Sequence, residues 1–157
     1  MLNIKEQAEI YKIGLMIGYF KAVDVISWVD NIIANNKNPD SGIIEISLSG
    51  SKGINAVISQ LDNIKGKTNN NVQVKTILGL LYKDLISKYD TVFEMARKLY
   101  VLSQYIPNNS LEDDEMLKLR AMEDIFHIYG AESVSVQISN LLKKYEIFAD
   151  NFNTCCR

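Results

Sequence analysis

Apolar residues in this chain recur at spacings of three and four over long stretches, and only two prolines, Pro39 and Pro107, interrupt them. That is the period of a helix with one buried face, so the rhythm restricts the chain to helical packing along its length. Ile10, Ile13, Ile17 and Phe20 share a stripe and predict a first helix over Ile4–Tyr19. Val25, Trp28, Val29, Ile32 and Ile33 predict a second over Ala22–Asn35, closed by the Asn-rich turn "ANNKNPD". "SGIIEISLSG", residues 41–50, alternates in a way that suits a strand. Pro39-Asp40-Ser41, however, offers a helix cap and first turn, and no second strand exists to pair with it, so a short helix is expected.

Gly50-Ser51-Lys52-Gly53 reads as a turn, and further helices are predicted over Ile54–Ile64 and Val72–Lys88. Tyr89-Asp90-Thr91 leads into a helix ending near Tyr105, another ends at Gly130, and a last covers Glu132–Phe148. The expected fold is therefore all-α, about eight antiparallel helices in a single bundle or a short stack of helical hairpins. No repeat of solenoid length is visible. With 157 residues the chain suits one domain, expected over residues 1–152 with a flexible tail at 153–157.

Charge excludes some functions. The net charge of −2 gives no general attraction to nucleic acid or anionic membrane, and lysines are scattered apart from Lys65–Lys67. The balance is uneven along the chain: residues 1–109 carry 12 basic and 10 acidic groups, residues 110–157 carry 5 and 9. Cys155 and Cys156 are the only cysteines, adjacent in the terminal tail, which suits a reduced compartment better than a disulfide framework. The mixed charges of MLNIKEQAEIYK do not match a signal peptide, and no apolar run is long enough to span a bilayer. The expected location is the cytoplasm.

Catalytic equipment is sparse. His127 is the only histidine, with Glu123 four residues before it, so neither a metal cluster nor a Ser/His/Asp set can be assembled. "SLSGSKG" misses the Walker spacing, because Lys52 precedes Gly53. Gly14 and Gly18 form a G-x-x-x-G that in a soluble helix lets another helix approach. Trp28 is expected in the core with its indole N–H bonded to a neighbour. No enzymatic activity, cofactor or metal is expected.

The densest charge lies in "SLEDDEML", Ser110–Leu117. Ser110 and Asp113 resemble a weak capping box, and acids in a first turn meet the positive end of the helix dipole. On a wheel of about 100° per residue, Leu117, Leu119, Ala121, Met122, Ile125, Phe126, Ile128 and Tyr129 fill an inward arc. Glu112, Asp113, Glu123 and Asp124 then form the opposite face, with Arg120 and His127 between, while Asp114 and Glu115 serve the helix start. Such a strip is either a solvated face or an interaction face for a basic partner. The candidate partner-binding residues are Glu112, Asp113, Glu123, Asp124 and His127.

Residues 11–48 carry a longer pattern: Gly18-Tyr-Phe-Lys21, then Val25, Trp28, Val29 and Asp30, then Pro39, then Ile43-Ile-Glu-Ile-Ser-Leu48. With "ILGLLYKDL" and "IFHIYGAESV" further on, the chain resembles small all-helical bacterial immunity proteins of polymorphic toxin and contact-dependent growth inhibition systems. The resemblance implies a non-enzymatic protein that binds the toxic C-terminal domain of its cognate effector, often a nuclease, as a heterodimer and blocks its active site. It transfers no interaction residues, since the matching positions read as packing and capping. The other reading is a helical adaptor or regulatory protein without a toxin partner.

Overall fold

A computed structural model of the chain describes residues 2–107 and 109–152, all of whose regular structure is helical. The tail expected at 153–157, with Cys155 and Cys156, lies outside the described residues. Where the sequence reading takes residues 1–152 as one domain, the packing divides into two compact units, one within residues 2–68 and one over Asn69–Phe152.

The first unit holds α1 (Ile4–Met16), α2 (Ala22–Asn35), α3 (Ser41–Ser49) and α4 (Ile54–Asn63). Asn3 caps α1 by accepting from the Glu6 N–H at 2.9 Å, while Glu6 accepts from the Asn3 N–H at 2.8 Å. The helix stops short of the predicted Tyr19 because Gly18 turns to φ 73°. The Tyr19 N–H then donates back to the Gly14 carbonyl at 2.7 Å. A Cβ on Gly14 would stand 2.1 Å from Phe20 Cδ2. The two glycines thus serve the end of their own helix, one admitting the Phe20 ring and the other reversing the chain, rather than the approach of a second helix.

Trp28 is buried, donates from Nε1 to Gln7 Oε1 at 2.9 Å, and lies against Tyr11 with ring centroids 4.7 Å apart. Asp40 caps α3 by accepting from the Gly42 N–H at 2.8 Å, which makes the ambiguous 41–49 segment a helix. Lys12 binds Glu9 and Asp62, each at 2.7 Å, and so ties α1 to α4.

The second unit holds α5 (Asn70–Ser87), α6 (Val92–Tyr105), α7 (Asp113–Leu142) and a final helical turn, α8 (Glu146–Ala149), reached through a 3-10 turn at Lys143–Tyr145. Among the described residues this makes seven helices before that last turn, where about eight were expected. The difference lies at Gly130, whose φ of 77° and ψ of 175° break the helix without inserting a loop, so residues 113–142 count as one run. The break is nonetheless a reversal. Thirty residues of straight helix would separate Glu115 from Tyr145 by about 45 Å, yet the Tyr145 hydroxyl lies 2.8 Å from Glu115 Oε1. The chain turns back on itself at Gly130, giving a first arm over 113–129 and a second over 131–142.

α6 packs along α7, with Phe93 against Phe126 at 5.2 Å between ring centroids. Gly79 lets the 3-10 turn sit against α5, since a Cβ there would stand 2.3 Å from the Tyr145 carbonyl oxygen. Among the described residues no helix is long and apolar enough to cross a membrane.

Candidate functional site

The acidic run begins α7, but two residues later than Ser110 and Asp113 suggest. Glu112 is the N-cap, and its N–H donates to Glu115 Oε2 at 3.2 Å. Ser110 is buried and leaves its hydroxyl without a hydrogen-bond partner among the described residues.

Glu115 is the unexpected member of the run. Read as part of the helix start, it is instead buried at 5% exposure. It accepts from the Tyr145 hydroxyl and is ion-paired with Lys144. Burial by itself would raise its pKa, but the hydrogen bonds from Lys144 and Tyr145 outweigh that and hold the carboxyl below its ordinary value. The same contact works the other way on the phenol: burial and the adjacent Glu115 carboxylate push the Tyr145 pKa up. A charged side chain can lie on the inner face because both partners reach it from the end of the second arm. The signal in the sequence was its register: Glu115 precedes Leu119 and Met122 by four and seven residues, on the same buried stripe.

That stripe also turns the helix relative to the wheel drawn from sequence. The inward residues are Glu115, Met116, Leu119 and Met122, with Ala121, Ile125 and Phe126 half-buried. Leu117, Ile128 and Tyr129, expected inside, are 64%, 70% and 66% exposed. The inward arc is narrower than the spread of apolar residues, and Leu117, Ile128 and Tyr129 are left on the outer side of the helix.

The four acids of the proposed strip therefore divide. Glu112, Asp113 and Asp124 are exposed, whereas Glu123 is half-buried. At about 100° per residue, Asp113 and Asp124 fall on one line of the helix, and Glu112 and Glu123 on another about a quarter-turn away. The first of these lines lies beside Leu117 and Ile128. None of Asp113, Glu123 and Asp124 makes an ion pair among the described residues. Asp114, at the margin, is held by Lys118 at 2.9 Å, and that hydrogen bond lowers its pKa.

His127 is exposed on the first arm, its ring 6.0 Å from Phe93 and 5.9 Å from Phe126 between centroids. It extends an aromatic cluster and does not belong to the clefts beside Glu115. Among the described residues, no group of three His, Cys, Asp or Glu side chains could hold a metal ion.

No protein-family model matches the chain, and neither a curated protein nor a solved structure is detectably similar to it. Its functional reading therefore rests on the geometry of α7 and on the sequence pattern of residues 11–48.

Proposed function

We propose that this protein is an immunity protein, which binds a cognate toxin domain through the outer face of α7 and neutralises it by covering its active site. The observation that carries this reading is one stripe: Asp113, Leu117, Asp124 and Ile128, which fall within about 60° of arc at helical spacing. Both apolar members are largely exposed and both acids lack an ion pair among the described residues. An apolar centre edged by charge is how non-obligate protein interfaces are built, with the apolar residues contributing affinity and the charges orientation and association rate. A nuclease that grips phosphates is basic, and an acidic edge complements it. The immunity-protein resemblance of residues 11–48 supports the same class of partner.

The test is co-expression with the product of the adjacent upstream gene. A one-to-one complex that relieves that product's toxicity is the expected result. A neighbour with no toxicity, or a complex unaffected by Asp113→Lys, Leu117→Asp, Asp124→Lys and Ile128→Asp together, would overturn it. Binding to a harmless neighbour would instead favour the adaptor.

A further inference from the structure

The two arms of α7 leave an open cleft of about 400 Å³ between them. Met122 on the first arm is buried, and Ile125 and Leu141 are half-buried, so this part of the lining is apolar. Glu112, Asp114, Lys118 and Gln137 line it as exposed side chains. The volume lies in the range of about 300–1,000 Å³ in which proteins hold small ligands.

The charge of the lining is not balanced. Glu112, Asp114 and Glu115 face two ammonium groups, Lys118 and Lys144. Each lysine is already engaged, Lys118 with Asp114 and Lys144 with Glu115. Glu112 has no ion pair among the described residues. An apolar wall ending at a carboxylate without an ion pair among the described residues suits a long aliphatic stem that carries a cation. Arginine suits it better than lysine: its planar fork can meet a carboxylate edge-on and loses less hydration on entering. The cleft also adjoins the outer stripe, since Asp114, Lys118 and Ile125 lie within about 100° of Leu117 on the same arm.

We propose that this cleft receives an arginine side chain of the partner protein, with its methylene stem on Met122, Ile125 and Leu141 and its guanidinium on Glu112. The proposal rests on the reading that a basic protein docks on α7, and it supplies that interface with an anchor.

The test is an NMR titration of the protein, observed at its methyl groups, with N-acetyl-arginine-N-methylamide. Saturable shifts are expected at Met122, Ile125 and Leu141. Glu112→Gln should weaken binding at least threefold. Gln137→Arg, an exposed substitution that offers the cleft a guanidinium of its own, should remove it. The corresponding glutamate and norleucine amides should leave these methyls unmoved. Unmoved methyls with the arginine probe, equal affinity in Glu112→Gln, or equal shifts with the norleucine probe would each overturn the proposal. The two readings fail separately. A toxin complex undiminished by Gln137→Arg removes the arginine anchor and leaves the immunity function, whereas arginine binding without a toxin complex does the reverse.

Discussion

Tyr145 donates its hydroxyl hydrogen to Glu115 across 2.8 Å, joining the first turn of α7 to the turn that follows its last. With the Lys144–Glu115 ion pair beside it, this contact closes thirty residues of sequence, and both the tyrosine and the glutamate are buried. Tyr145→Phe keeps the ring and removes the hydroxyl, so it should cost about 1.5–3 kcal/mol, the usual loss for a buried hydrogen bond to a charged group. Tyr145→Phe unfolding in urea at the wild-type midpoint would show that the hydroxyl contributes nothing.

Glu115 also fixes a pH dependence. Its folded pKa lies below the ordinary 4.5, so the folded state favours the ionised form. The stability it contributes is present above the unfolded value and is lost as pH falls through the lower, folded one. Wild type and Glu115→Gln should therefore differ most near neutral pH and converge as the pH is taken below about 4.5, the ordinary value of this carboxyl. Denaturation midpoints measured at steps from pH 7 to pH 3 check this. A constant difference across the range would mean that the charge is not what the pocket recognises.

Gly130 should not tolerate a side chain. Its φ of 77° and ψ of 175° lie in a region that only glycine enters at low cost. No atom stands within 4 Å of a Cβ built there, so any penalty is one of backbone conformation and not of crowding. Gly130→Ala should cost about 1–3 kcal/mol. It should also loosen the cleft between the arms, read as faster amide exchange in residues 131–142. Unchanged stability and exchange would contradict a chain reversal at Gly130.

Leu117 and Ile128 make the opposite prediction, since each is mostly exposed. Leu117→Asp and Ile128→Asp should move stability by no more than about 0.5 kcal/mol, the usual range for a surface position. If α7 is the docking face, they should weaken toxin binding by tenfold or more. Asp113→Lys and Asp124→Lys should act chiefly on the association rate, with a smaller effect at high salt. Calorimetry and stopped-flow at two ionic strengths separate these contributions.

Much of the second unit was legible in advance. The tight Tyr89-Asp90-Thr91 connection leads into α6, which ends at Tyr105 as expected. Gly130 ends the first arm where a glycine after a periodic run predicts a stop. These are local matters, settled by neighbours within four residues. The orientation of α7 was not local. Leu117 and Leu119 are the same amino acid two positions apart, and nothing in the run itself says which of them is covered.

The sequence by itself determined that this chain is helical and where most of its helices begin and end, because periodicity, caps and positive-φ glycines act over a single turn. Only the tertiary structure decided which side of α7 faces outward. That choice depends on α6 and on the returning arm, which bring Lys144 and Tyr145 to Glu115 from about thirty residues away. With those partners in place a glutamate is stable on the inner face, and Leu117 and Ile128 are left outside beside Asp113 and Asp124.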